Sequence, residues 1–137
     1  MILLDTNICI AALKNDRRVL SHMVRHTGRL YLPLMVSAEL WFGIEKQARL
    51  GKDVAADRER ITEFHNRMDG VLYFGEEAIQ EYARLRATME TRGTPISPND
   101  TWIAAQALVE DALLVSANLR EFARIPDLRL QNWLSAG

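Results

Sequence analysis

An α/β fold with a largely parallel sheet, covered by helices on both faces, is predicted by two observations. Short apolar runs alternate with longer segments whose apolar residues recur every three or four positions. The strand-like runs are separated by helical segments rather than following one another, so the connections read as right-handed crossovers. At 137 residues and 48% hydrophobic composition, residues 1–137 are expected to form one domain around a single core.

Ile2 to Leu4 reads as the first strand, ending at Asp5, with a helix over about 7–14. Val19, Leu20, Met23 and Val24 predict a helix over about 16–27 that Gly28 stops, and Leu30 to Val36 reads as the second strand. Ser37 is the expected cap of a helix reaching about Leu50, which places Glu39 in its first turn and Leu40, Trp41, Ile44 and Ala48 on an apolar stripe. Asp53 to Met68 predicts a largely solvent-facing helix. Val71 to Phe74 is a third strand, followed by an amphipathic helix over 76–91. Ser97, Pro98 and Asp100 have the spacing of a helix start, Ser as cap and Pro in the first turn, for a mostly buried helix to about Glu110. Ala112 to Ser116 is a fourth strand, 119–123 a helical turn, and Leu128 to Leu130 a last strand.

Composition narrows the function classes. The net charge of −1 lacks the strongly basic footprint of a simple DNA-binding module, yet 14 of the 17 basic residues are arginine, the side chain suited to bidentate phosphate contact. Arg17, Arg18, Arg86 and Arg92 are candidates for such contact, with solvation of a helix face as the ordinary alternative. The single Cys9 sits in an apolar stretch and reads as a small core residue, and the chain opens directly into strand-like residues without a basic leader; both suit a cytoplasmic protein. The apolar runs are too short to span a bilayer, so no membrane association is expected.

In a parallel α/β sheet, ligands bind at the carboxyl ends of the strands. Asp5, Glu39 and Asp100 all fall at that edge, and Asn118, after the fourth strand, reaches it too. Each acid has a structural reading: Asp5 as a helix cap, Glu39 at the positive end of a helix, Asp100 in a capping box with Ser97. Together, three converging carboxylates would repel one another unless protons or a cation neutralised them. Hard oxygen ligands of this kind suit Mg²⁺ or Mn²⁺, and the matching chemistry is phosphodiester hydrolysis.

Four segments are similar to the VapC family of toxins, which are PIN-domain ribonucleases of type II toxin–antitoxin modules: Met1 to Asn7, Ser37 to Gly43, Ser97 to Asp100 with Ile103 to Ala105, and Leu114 to Asn118 with Arg120 to Phe122. They occur in the family's order and spacing, and Leu130 to Trp133 resembles its close. The resemblance implies a five-stranded parallel sheet of order 3-2-1-4-5 in a PIN-like three-layer α/β/α fold, an RNA substrate with tRNA among the candidates, a homodimer, and neutralisation by a small antitoxin. It further implies that Asp5, Glu39 and Asp100 are catalytic metal ligands, that Thr6 and Ser116 line the site, and that Asn7 orients its carboxylates. Many relatives carry Asp where this chain has Asn118, with Glu121 three residues on; both are kept as candidate catalytic residues.

Other side chains have plainer readings. His22, His26 and His65 lack the companions of a zinc site and read as surface or partly packed. Trp41, Phe42 and Trp102 are expected to pack rather than stack on bases. A receiver-like Mg²⁺-binding signalling domain or a phosphatase of the haloacid-dehalogenase type would want a late lysine, and residues 53–137 contain none. A PIN-like scaffold without catalysis is the remaining alternative, against which the three acids stand.

Overall fold

All three residues of β1 (Ile2–Leu4) are buried, as befits a strand with a neighbour on each side and helices over both faces. In the computed structural model, which describes residues 1–135, β1 is followed by α1 (Thr6–Leu13), α2 (Arg17–Arg25), β2 (Leu30–Pro33), α3 (Leu34–Arg49), α4 (Ala55–Arg67) and β3 (Gly70–Leu72). Then come α5 (Glu76–Thr91), α6 (Pro98–Val109), β4 (Leu113–Val115), α7 (Leu119–Phe122) and β5 (Arg129–Gln131). The strands form one parallel sheet in the order β3-β2-β1-β4-β5, in agreement with the order implied above. Ile2 is in register with Leu30 on one side and Leu113 on the other, so β1 is the axis of the sheet.

The core follows from this placement. Leu3, Leu4, Leu32 and Leu114 on the strands meet Ile8 of α1, Val36 of α3 and Ile103 of α6, all without exposed surface. On the helical layers, α5 packs along α6, while α1 contacts α2, α3 and α4. At the far edge, β5 alternates exposed, half-buried and exposed positions and carries Arg129 and Gln131, polar residues that discourage pairing with another sheet.

The junction of β2 and α3 departs from the expectation. The strand ends at Pro33, which has no N–H to continue the ladder, and the helix begins at Leu34 rather than at Ser37. Leu34-Met35-Val36 looks strand-like by composition, but Val36 is four residues before Leu40 and eight before Ile44, and these three are the buried positions of α3. Ser37 is therefore inside the helix, where its hydroxyl meets His65 Nε2 at 2.8 Å instead of capping. Glu39 lies in the second turn, not the first.

Smaller differences have local causes. Asp16 caps α2 by accepting from the N–H groups of Arg18 and Val19, so the helix opens at Arg17 and closes at Arg25. The third strand ends at Leu72, leaving Tyr73 and Phe74 beyond it, and β5 is one residue later than expected. The α4 helix is largely solvent-facing, as expected, with Ile61 and Phe64 as its buried positions. Trp102 does pack, stacked between Phe74 and Tyr82 with ring centroids 4.2 and 3.9 Å away. Phe42 does not: it is 66% exposed, because the buried stripe of α3 runs through positions 36, 40 and 44.

Replacing Leu114, fully buried on β4, by alanine is expected to lower the unfolding free energy by about 2–5 kcal/mol. Urea titration followed by circular dichroism measures this, and a loss well under 1 kcal/mol would mean that β4 is not held in the core.

Candidate active site

Asp5 is the first residue beyond β1. Its N–H still donates to the Val115 carbonyl of β4 at 2.9 Å, so the sheet ladder itself fixes its position. The carboxylate caps α1 by accepting from the Thr6 N–H at 2.8 Å, and its other oxygen accepts from the Ser116 hydroxyl at 2.6 Å. Only 5% of the residue is exposed. Burial raises its pKa, opposed by the Ser116 and Thr6 hydrogen bonds, and the Glu39 charge raises it further.

Two chains of contacts leave Asp5. Through Thr6, whose hydroxyl donates to Glu39 at 2.7 Å, the first reaches α3; the second oxygen of Glu39 accepts from the Asn99 amide at 3.4 Å, at the start of α6. Through Ser116 the second reaches the loop after β4: the Ser116 hydroxyl accepts from the Asn118 N–H at 2.9 Å. The Asn118 side-chain amide donates to Asp100 at 3.0 Å and to Glu121 at 3.3 Å. Asn7 joins from α1, its side-chain oxygen accepting from the Ala117 N–H at 3.0 Å.

All eight residues singled out from the sequence thus lie in one hydrogen-bonded neighbourhood at the carboxyl edge of the sheet. Asn99 belongs to it as well. Its place beside Asp100 in the helix-start motif was the signal for it, but nothing in the sequence showed that it would turn toward Glu39.

Asp100 is placed by the first turn of α6, where Ser97 accepts from the Asp100 N–H at 3.2 Å and Pro98 opens the helix. Its carboxyl is half-buried and touches that of Glu121. Burial first, then the hydrogen bond with Glu121 and the charges of Asp5 and Glu121, push Asp100 up to about 7, against a smaller lowering by Ser97. Glu121 moves the other way, lowered chiefly by its hydrogen bond with Asp100 and assisted by Asn118. Without a cation the two acids titrate as a pair, with proton binding favoured at Asp100.

Two carboxylates flank the amide of Asn118, so its nitrogen faces them and donates to both, tying Asp100 and Glu121 to the loop after β4. Among the described residues no three His, Cys, Asp or Glu side chains are already drawn together at the spacing of ligands around one ion. The donor set nonetheless fits Mg²⁺ or Mn²⁺: it is all oxygen, its carboxylates outnumber any cation beside them, and Mg²⁺ takes only one or two carboxylates beside its waters. Next to Glu39 opens a mainly apolar groove of about 410 Å³ between α1, α3 and α4, walled by Ile10, Leu13, Leu40, Ile44 and Ile61.

Comparison with known proteins decides the family. The PIN domain pattern matches residues 2–128. The chain belongs to the PIN domain family. Ribonuclease VapC1 of Haemophilus influenzae (strain R2866) is 35% identical over 134 residues, 96% of each chain. The tRNA(fMet)-specific endonuclease VapC of Salmonella typhimurium is 32% identical over 132 residues, again 96% of each. Among solved structures, VapBC2 from Rickettsia felis, bound to a DNA fragment from its promoter, superposes with a TM-score of 0.87 at 32% identity, covering 97% of this chain and 99% of that one. The PIN architecture and its sheet order are therefore those of this chain.

The acid pair of this PIN domain makes its stability depend on pH. Folded Asp100 keeps a proton up to about pH 7 that the unfolded chain has lost near pH 4, so stability contributed by this group falls as pH rises through that window. Glu121, whose folded pKa is lowered, acts with the opposite sign and only below about pH 4.5. Melting curves in EDTA from pH 5 to 8 are expected to show a falling melting temperature that Asp100→Asn flattens; an equal slope in the variant would remove Asp100 as its source.

Proposed function

We propose that this chain, residues 1–137 acting as one domain, is a divalent-cation-dependent endoribonuclease and the toxin of a type II toxin–antitoxin pair. The observation that carries the reading is the convergence of Asp5, Glu39, Asp100 and Glu121 at one sheet edge, tied together by Thr6, Ser116 and Asn118, in a chain whose relatives at 32–35% identity are named ribonucleases and tRNA endonucleases. Toxin–antitoxin complexes among the similar solved structures support an antitoxin partner, and the apolar groove beside Glu39 gives such a partner a surface next to the site. The homodimer rests on the likeness to the family.

Asp5, Glu39 and Asp100 are the residues that would hold Mg²⁺ or Mn²⁺, which when bound supplies Lewis acidity for water and charge for the phosphate oxygens. The protein's own part is preorganisation. Ser116 and the Thr6 N–H hold the Asp5 carboxylate in one orientation, and the Thr6 hydroxyl does the same for Glu39. Asn118 holds Asp100 and Glu121 through its amide, and Asn7 pins the loop that carries Asn118. Substrates are RNA phosphodiesters, tRNA among them, cut in the cytoplasm to stop translation until the antitoxin is present.

Purified, antitoxin-free protein is expected to cut tRNA or total RNA at discrete sites with Mg²⁺ or Mn²⁺ and not with EDTA, and Asp5→Asn or Asp100→Asn to lower the rate at least about 100-fold. Cleavage by both variants at the wild-type rate would sink this assignment. Thr6→Val, which removes only the hydroxyl bond to Glu39, is expected to cost about 10–100-fold in the same assay.

A further inference from the structure

Away from the acids, α2 concentrates positive charge. Val19 and Met23 anchor the helix in the core, while Arg17, Arg18 and Arg25 are exposed on it. Trp133, two residues beyond β5 and 2% exposed, lies against this helix: the His22 ring stacks on it at 4.7 Å and 7°, the His26 ring at 5.4 Å and 16°. These three rings fix the segment after β5 to α2. Between them opens a hollow of about 510 Å³ lined by Arg17, Arg18, His22, Arg25, Trp133 and Ser135.

Among the described residues the charge of this hollow is only partly cancelled. Arg18 is paired with Asp16 at 3.1 Å, but among the described residues Arg17 and Arg25 are in no ion pair. Arg25 leans instead on His22, 3.5 Å from its Nδ1. Burial, then the neighbouring Arg25 and His26, hold His22 below the usual imidazole range, so the positive charge at neutral pH comes from the arginines. In a chain of net charge −1 this is a local concentration.

A path of hydrogen bonds connects the hollow to the site. Trp133 donates its indole N–H to the Gln131 side chain at 3.2 Å, and the Gln131 carbonyl accepts from the N–H of Ser116, the residue whose hydroxyl holds Asp5.

We propose that this hollow is a phosphate-binding subsite that grips the RNA backbone at nucleotides outside the scissile bond. The inference rests on the ribonuclease reading and adds to it where the substrate lies. Guanidinium groups take phosphate oxygens through paired N–H donors, and the acidic cluster, which repels a polyanion, needs an attractive surface beside it to retain one. An acidic protein segment is the weaker fit, because the two imidazoles cover the Trp133 face that would otherwise anchor an apolar side chain.

The test uses full-length protein carrying Asp5→Asn, so that RNA is bound and not cut, with labelled tRNA as probe. Affinity is measured by filter binding across a salt series for this parent, for added Arg17→Gln/Arg25→Gln, and for added Arg17→Lys/Arg25→Lys, each with a melting curve to confirm folding. Loss of two phosphate contacts is expected to weaken binding about tenfold at moderate salt and to make the plot of log affinity against log salt shallower by roughly 1.5, while the lysine variant keeps the parent's slope. Unchanged affinity and slope in the glutamine variant overturn the proposal, as does weaker binding with the slope intact. So does a loss confined to antitoxin binding, which would make the hollow a protein-docking surface. If the chain without these substitutions cuts no RNA, the ribonuclease reading itself fails; if it cuts and the glutamine variant binds like the parent, only the subsite fails.

Discussion

The Ser116 hydroxyl stands where the two central strands of the sheet end side by side, and the rest of the site depends on its two hydrogen bonds. By donating to Asp5 it ties the end of β1 to the end of β4, and by accepting from the Asn118 backbone it turns the following loop toward α6. The ladder bond from the Asp5 N–H to Val115 makes this junction rigid, because the backbone cannot shift without breaking the pairing of β1 with β4. A serine with no exposed surface at the end of an apolar strand would otherwise be a net cost, since a buried hydroxyl without partners is destabilising. Here it is satisfied in both of its capacities.

Placing several carboxylates at one edge sets a second constraint, mutual repulsion. The chain meets it with neutral groups between the charges: Thr6 between Asp5 and Glu39, Ser116 beside Asp5, Asn118 between Asp100 and Glu121. The closest pair, Asp100 and Glu121, holds a proton instead. An amide at position 118, where a further acid would add a third charge beside that pair, lets the two acids approach without a fifth carboxylate in the cluster. The cluster is stable enough to fold and still short of positive charge, which is the electrostatic condition for attracting a cation.

Much of this was legible in the sequence because its signals are local. The buried Ile2 to Leu4 run, the amphipathic period of 76–91 and the Ser97-Pro98-Asp100 start each specify an element without outside help. The β2 to α3 boundary was not, since Leu34 to Val36 is apolar enough for either structure and the deciding fact, that Val36 faces the same core as Leu40 and Ile44, is tertiary. The acids could be assigned to one edge from strand ends alone. The contacts between them could not: the turn of Asn99 toward Glu39 and of the Asn118 nitrogen toward two carboxylates depends on distances set by packing α6 and α7 against the sheet. The exposure of Phe42 was missed for the same reason, because which face of α3 meets the core is a property of the assembled layers.

The central position of β1 also has a consequence for synthesis on the ribosome. Asp5 and Glu39 emerge early, and β2 can pair with β1 as soon as it is made, but Asp100, Ser116 and Glu121 arrive only with the last part of the chain. The open side of β1 waits for β4 throughout that interval, so a nascent or truncated polypeptide has a partial sheet and no gathered acids. Whatever chemistry the site performs needs the fourth strand and the turn after it, because a chain interrupted before that point lacks Ser116, Asn118 and Glu121.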